Sequence, residues 1–287
     1  MQEKVGILHP GEMGISVAAS ALKGGFSVYW ASEGRSQKSR ERAESAGLVD
    51  ASTVTRLCEM CSVLVSVCPP HAAEEVADNV LLRSFRGIYL DANAISPQRA
   101  IRMGKEMTER GVAFVDGGII GPPAWRTGTT WLYLSGKEAE TAAACFARGP
   151  LQTEVIGEVV GKASALKMCY AAYTKGTTAL LGAILGAASG LGVRKELENQ
   201  WSRSESGLVE RAVRQVNRSI PKAWRYVGEM EEIAATFSEV GIPQGFHAAA
   251  ADIYRRMAPL RDKEAPPPLE EILFALLQSK TDSTKAE

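Results

Sequence analysis

Histidine is scarce in this chain: His9, His71 and His247 are the only three among 287 residues, and they stand far apart. None has a partner at the short spacing of a zinc finger or a metal-binding helix. Cysteine is odd in number, with Cys58, Cys61, Cys68, Cys145 and Cys169. An odd set argues for free thiols in a reducing compartment rather than a disulfide framework. Cys58 and Cys61 form a lone CxxC, and no second pair completes a zinc site. An excess of one charge is also missing. Lys plus Arg and Asp plus Glu number 33 each, so the balance singles out neither nucleic acid nor an anionic membrane. No apolar run reaches the roughly 18–20 residues of a membrane span. The longest, TALLGAILGAASGLGV from Thr178 to Val193, is rich in Ala and Gly and bracketed by Lys175 and Lys195. It reads as a buried helix. The opening MQEKVGILHPG has no basic start, no long apolar core and no cleavage site, so it does not read as a signal peptide. These absences set the expectation of a soluble cytoplasmic protein with no metal.

What is present is alternation. Apolar runs suited to strands fall at Lys4–Leu8, Phe26–Trp30, Ser62–Val67, Gly87–Asp91, Val112–Asp116, Thr130–Leu134 and Thr153–Ile156. Segments with helical spacing lie between them: Gly11–Lys23, Ser36–Ala46, His71–Leu82 and Pro97–Arg110. Strands alternating with helices imply βαβ units and a doubly wound, mostly parallel α/β sheet. From about Val159 strand signals stop, and helical periodicity runs to about Gln278. The expected organisation is residues 1–158 as a dinucleotide-binding domain and residues 159–287 as an all-helical substrate and dimerisation domain. Gly182, Gly186 and Gly190 recur every four residues. Small residues at that spacing admit a close neighbour, either another helix of the chain or a second subunit. Pro266–Pro268 reads as a rigid spacer, Leu269–Gln278 as a short amphipathic helix and Ser279–Glu287 as a frayed tail.

The turn after the first strand carries the first functional signal. It reads Gly6-Ile7-Leu8-His9-Pro10-Gly11-Glu12-Met13-Gly14. A dinucleotide-binding turn needs glycines so that the backbone can bend and approach a pyrophosphate at a helix N-terminus. Gly11 and Gly14 stand at the second and third positions of GxGxxG, and His9 replaces the first. At the end of the second strand an acid would bind the adenosine ribose, whereas Arg or Ser would receive a 2′-phosphate. The segment there is Trp30-Ala31-Ser32-Glu33-Gly34-Arg35-Ser36, with Lys38 following. Ser32, Arg35 and Ser36 favour NADP over NAD, and Glu33 pulls the other way.

Further segments fall in an order that resembles the beta-hydroxyacid dehydrogenase superfamily, which includes 3-hydroxyisobutyrate and 6-phosphogluconate dehydrogenases and has imine reductases as relatives. The segments are Gly6, Gly11, Met13 and Gly14; Val67-Cys68-Pro69-Pro70; Asp91-Ala92-Asn93-Ala94-Ile95-Ser96-Pro97; Asp116-Gly117-Gly118-Ile119-Ile120-Gly121-Pro122; Gly128-Thr129-Thr130-Trp131; and Gly161 to Lys167. The branch it looks most like is the phosphogluconate-dehydrogenase-like one with a distinct C-terminal domain. The resemblance implies a Rossmann domain followed by an all-α domain, a homodimer through the helical part and an active site at the domain cleft. It implies cofactor contacts from His9, Pro10, Gly11, Glu12, Met13, Gly14, Cys68, Pro69, Pro70 and Asn93, besides Ser32, Arg35 and Ser36.

Lys167 occupies the family's general acid/base position. A lysine amine can pass a proton to or from a hydroxyl if its surroundings lower its pKa toward working pH. Tyr170 lies three residues on, on the same helical face, where the family has Asn. Candidate substrate-binding residues are Ile120, Gly121, Pro122, Glu229 and His247. The family's substrate-holding Ser is Ile120 here, and the lysine before the family's acidic residue is Gly228. These departures remove groups that would hold a 3-hydroxy acid. The expected activity is hydride transfer between a nicotinamide and a small carbonyl or hydroxy-acid-type substrate. Imine reduction or reductive amination is the enzymatic alternative. A non-catalytic dinucleotide-binding sensor or scaffold is the alternative of another class.

Overall fold

The computed structural model describes residues 4–262 and 267–278. Pro266 of the expected spacer and the expected tail Ser279–Glu287 lie outside the described residues. The chain divides into two compact units, one through Tyr170 and one from Ala171.

The first unit is built on one sheet of eight strands: β1 (Lys4–Ile7), β2 (Ser27–Trp30), β3 (Val49–Asp50), β4 (Val63–Ser66), β5 (Ile88–Asp91), β6 (Ala113–Ile120), β7 (Trp131–Ser135) and β8 (Gln152–Val155). Their spatial order is β3-β2-β1-β4-β5-β6-β7-β8. All neighbours pair in parallel except β6 with β7. The order reverses direction between β1 and β4, where a doubly wound sheet opens a crevice at its carboxyl edge. This is the mostly parallel α/β sheet that the alternation implies.

Side chains alternate across the sheet with period two, so each strand feeds two cores. Val63, Val65, Ile88 and Leu90 pack with Ile15, Val17 and Ala21 of the helix Glu12–Lys23. Leu64 and Tyr89 face the other way and pack with Leu57, Ala77, Met103 and Met107. Burial on both faces explains why β4 and β5 read as continuous apolar runs. Each fully buried Leu or Ile contributes about 1.5–3 kcal/mol.

Three elements had no sequence signal. β3 is two residues long, and its Val49 is exposed. The helix Val54–Met60 is short and opens on Thr53, whose hydroxyl accepts from Arg56 N. The helix Ala139–Ala144 is mostly alanine. β6 runs past the expected end at Asp116 to Ile120, because its last five residues pair with β7.

The division at Tyr170 and Ala171 falls one helix later than the expected boundary at 158/159. The physical reason is Asp116 of β6, which accepts hydrogen bonds from Gly161 N and Ser164 N and binds the helix Lys162–Ala171 to the sheet.

The second unit opens with a π-helical turn, Ala172–Gly176, followed by helices Thr177–Gly190, Arg194–Ser204, Leu208–Ser219, Ala223–Glu239, Gly245–Met257 and Leu269–Leu277. The glycine repeat faces an element of the same unit. A Cβ on Gly182 would lie 3.6 Å from Leu276 Cδ1, one on Gly186 3.5 Å from Leu276 Cβ, and one on Gly190 2.9 Å from Leu277 Cδ2. The repeat is thus a seat for the helix Leu269–Leu277. Among the described residues, no helix is long and apolar enough to cross a membrane.

Candidate active site

The turn leaving β1 is held by its carbonyls. Leu8 N donates to Val65 O, and Gly11 N donates back to His9 O at 2.9 Å. Gly11 is the N-cap of the helix Glu12–Lys23 and brings no capping side chain. Its first-turn donors are therefore not claimed by a cap, and Glu12 stands exposed beside them. Gly14 is packed tightly: a Cβ there would lie 2.0 Å from His9 O. Gly11 is the opposite case, with nothing within 4 Å of the place where its Cβ would be. One glycine thus lets the helix meet the turn, and the other leaves open space over the helix N-terminus. Pro10 is buried, and Met13 O accepts from Ser16 Oγ at 2.8 Å.

Two arginines from beyond β2 bond this turn, and a third bonds the segment that follows β2. Arg35 Nη2 donates to Leu8 O at 3.1 Å, and Arg42 Nη1 donates to Pro10 O at 3.1 Å. Arg40 Nη2 donates to Ser32 O at 2.7 Å. Ser32 is buried, while Ser36 spends its hydroxyl on capping the next helix, accepting from Ser39 N. Sequence reading found Arg35 but missed Arg40 and Arg42, which sit within an ordinary charged helix and carry no motif. His9 is pressed into this basic corner. Burial first, and the Arg35 guanidinium second, lower its pKa from 6.5 to about 4. Its imidazole is neutral near pH 7, and its buried Nδ1 has no hydrogen-bond partner among the described residues.

The β4 and β5 ends are tied together by Asn93. Its Oδ1 accepts from Cys68 N at 2.6 Å, and its Nδ2 donates to Ser66 Oγ and Asp91 Oδ2 at 3.0 and 2.8 Å. Asn93 therefore shapes the Cys68-Pro69-Pro70 segment through its side chain. Pro70 O accepts in turn from Arg99 Nη2. Burial pushes the Cys68 thiol up to about 12 and the Asp91 carboxyl up to about 7. Cys58 and Cys61 of the CxxC are free and buried, with thiols pushed up to about 11 and about 12 by desolvation. They stay protonated near neutral pH.

Lys167 projects from the helix Lys162–Ala171 onto β6, where Nζ donates to Ile119 O at 2.5 Å. It is half-buried, and Tyr170 on the same helix is exposed. Ile120 ends β6, and Gly121 follows at φ +131, a conformation that L side chains rarely adopt. Pro122 O accepts from Thr130 Oγ1 at 2.6 Å, closing the loop onto the start of β7. Ala124 N donates to Ser16 Oγ at 2.9 Å, which ties this loop to the helix that starts at Gly11. The structure thus brings the glycine turn and the β6–β7 loop onto one helix.

Glu229 and His247 belong to the second unit. Glu229 is buried and pairs with Lys175 Nζ at 2.8 Å, while Tyr254 OH donates to Lys175 O. His247 is buried between Phe237 and Phe246, with ring centroids 4.3 and 5.1 Å away, and desolvation lowers its pKa. Within that unit the two are held by separate sets of neighbours.

The residues present fit a dinucleotide. An uncapped helix N-terminus, free space over Gly11 and a rim of arginines together suit a pyrophosphate. A doubly wound sheet with this turn, followed by a helical unit, defines an NAD(P)-dependent oxidoreductase of the 3-hydroxyacid dehydrogenase fold.

Comparison with known proteins narrows the class. Residues 4–146 match the NAD binding domain of 6-phosphogluconate dehydrogenase, and residues 188–257 match a domain of unknown function, DUF1932. An uncharacterised 28.5 kDa protein from the 7S RNA 5′ region of Methanothermus fervidus is 30% identical over 194 residues, which is 68% of this chain and 74% of that protein. Among solved structures, a conserved protein of unknown function, noted for its structural similarity with 3-hydroxyacid dehydrogenases, shares 30% identity at a TM-score of 0.67, covering 88% of this chain and 97% of that one. Mycobacterium tuberculosis 3-hydroxyisobutyrate dehydrogenase with L-serine has 15% identity and a TM-score of 0.70, over 97% and 100% of the two chains. A reductive aminase from Aspergillus terreus in complex with NADPH and ethyl levulinate has 18% identity and a TM-score of 0.55, over 96% and 99%. The chain belongs to the family that joins the NAD binding domain of 6-phosphogluconate dehydrogenase to a DUF1932 domain.

Proposed function

We propose that this protein is an NADP-dependent reductase or dehydrogenase acting on a small carbonyl or hydroxy-acid-type substrate, with Lys167 as general acid/base. The observation that carries the reading is Lys167 itself, an amine brought to the end of β6 by a helix anchored on the sheet. When bound, the nicotinamide supplies or accepts the hydride. Lys167 Nζ handles the proton that must accompany it, donating to a nascent alkoxide in reduction and accepting from the hydroxyl in oxidation. The NADP preference is supported by Arg35 and Arg42 bonded to the turn, by Arg40 bonded to Ser32 just past β2, and by the absence of an acid on the last residues of β2. His9, neutral and half-buried, adds no charge there at pH 7.

A second reading, reduction of imines, is favoured by Ile120. Its aliphatic side chain offers no hydroxyl where the resembled dehydrogenases hold a substrate with Ser. Calorimetric titration with NADPH and with NADH tests the cofactor. Turnover of ketones, hydroxy acids and cyclic imines by wild type and Lys167→Met tests the chemistry. Tight NADPH binding and a loss of turnover in Lys167→Met are expected. Full turnover by the variant would remove Lys167 from the mechanism, nucleotide binding without turnover of any of these substrates would favour the non-catalytic sensor or scaffold, and binding of neither nucleotide by folded protein would sink the oxidoreductase reading.

A further inference from the structure

We propose that Asp116 is a positioning residue for Lys167: by gripping the N-terminus of the helix Lys162–Ala171 on β6, it sets where the lysine amine stands at the end of that strand. This rests on the reading of Lys167 as the proton partner.

Asp116 is wholly buried, yet its carboxylate is surrounded by donors. Oδ2 accepts from Ser135 Oγ at 3.0 Å, from Gly161 N at 2.9 Å and from Ser164 N at 3.0 Å, and Oδ1 accepts from Ser164 Oγ at 2.5 Å. Ser135 Oγ also accepts from Ala163 N at 3.1 Å. Three amides of the helix start are thus satisfied by a carboxylate on one strand and a hydroxyl on the next. A negative charge at that end complements the helix dipole, and charge-assisted bonds of this kind are the strong ones. Burial raises the Asp116 pKa, and these donors oppose the rise.

The grip is directional because Asp116, Gly118 and Ile119 all lie on β6, with Ser135 of β7 beside them. Asp116 and Gly118 are two apart on the strand and face the same side. A Cβ on Gly118 would lie 2.6 Å from Ala163 O and 3.0 Å from Lys167 Cβ, so the missing side chain lets the helix lie directly on the strand. One residue further, Ile119 O receives Lys167 Nζ. On the helix, Ser164 and Lys167 are three apart and share a face. The carboxylate fixes the first of these, and the strand carbonyl receives the second. Rotation or sliding of the helix would break both contacts together.

Competitive acetylation of lysines, read by mass spectrometry across pH, tests this without a substrate. In Asp116→Asn, Lys167 should label about tenfold faster than in wild type with a shifted pH profile. Exposed Lys162 on the same helix should label at its wild-type rate. Ser164→Ala should show the effect in weaker form, and Ser164→Thr, which keeps the hydroxyl, should restore the wild-type profile. If Asp116→Asn does not fold, Ser164→Ala carries the test on the same criteria. An unchanged Lys167 rate and pH profile in a folded variant would overturn the proposal. Equal acceleration at Lys162 and Lys167 would also overturn it, since that marks general loosening. Turnover by Lys167→Met is a separate result: its persistence would end the proton-partner role while leaving the labelling outcome intact.

Discussion

A methyl group on Gly14 would lie 2.0 Å from the carbonyl oxygen of His9, whereas one on Gly11, three residues earlier, would meet nothing within 4 Å. The two glycines of the turn thus do different work. Gly14 serves the packing of helix on strand, and Gly11 leaves the open space that the proposed cofactor would need. Gly14→Ala should therefore lower stability, by roughly 1–3 kcal/mol as overpacked sites do. Gly11→Ala should melt within about 1 kcal/mol of wild type, the scale of an N-cap change, yet bind nucleotide at least about tenfold more weakly. Thermal melting paired with calorimetry separates the two effects. A Gly11→Ala variant that binds as wild type does would mean that the space over Gly11 is not where the pyrophosphate lies.

Cofactor choice should rest on Arg35. It lies in the loop after β2, where a 2′-phosphate would be received. Hydrogen bonds to charged groups contribute about 1.5–3 kcal/mol, so Arg35→Ala should weaken NADPH binding roughly tenfold to a hundredfold. NADH binding should change far less. Equal weakening of both nucleotides would show that Arg35 acts only through its bond to Leu8 O.

Much of the first unit was legible because its sheet is buried on both faces. Strands such as Val63–Ser66 are then almost wholly apolar and need no partner to be recognised. β6 was cut short for the opposite reason. Gly117 and Gly118 look like a turn, but Gly118 is required by the helix that lies on it, a long-range fact with no local signal. The same holds for Ser16, Ser20 and Ser135, whose hydroxyls accept from Ala124 N, Leu151 N and Ala163 N far along the chain. Lys167 was nominated by the family resemblance and the glycine turn by the residue types that a pyrophosphate site calls for. Arg42 was not, since any cation of suitable length on an exposed helix looks alike in sequence.

The neutral His9 gives stability an acid limb. Its folded pKa of about 4 lies below the ordinary 6.5, chiefly through burial, so protonation favours the unfolded chain. That contribution is fully present above pH 6.5 and is lost as pH falls toward 4. Between pH 7.5 and pH 4.5, wild type should lose about 2 kcal/mol more than His9→Gln, which has no imidazole to titrate. Urea titrations of both proteins at the two pH values read the difference directly. Parallel losses would mean that His9 is solvated enough to titrate normally.

The buried Lys175–Glu229 pair decides how Glu229 should be regarded. At 2.8 Å, with side chains 15% and 6% exposed, it is a desolvated ion pair lying against the ring of Tyr226, with the half-exposed Arg225 Nε a second partner 3.4 Å from Glu229 Oε1. Removing one partner of such a pair strands the other charge and costs about 3–5 kcal/mol, whereas replacing both with apolar groups is often neutral. If Glu229 is structural, Glu229→Gln should be strongly destabilised, and Lys175→Met with Glu229→Leu should recover most of that loss along with full turnover. If Glu229 also meets substrate, the double variant should recover stability yet show a raised KM. Urea titration and steady-state kinetics on the same two variants therefore separate a helix-packing role from a substrate contact, because only the second leaves a kinetic defect in a protein that has regained its fold.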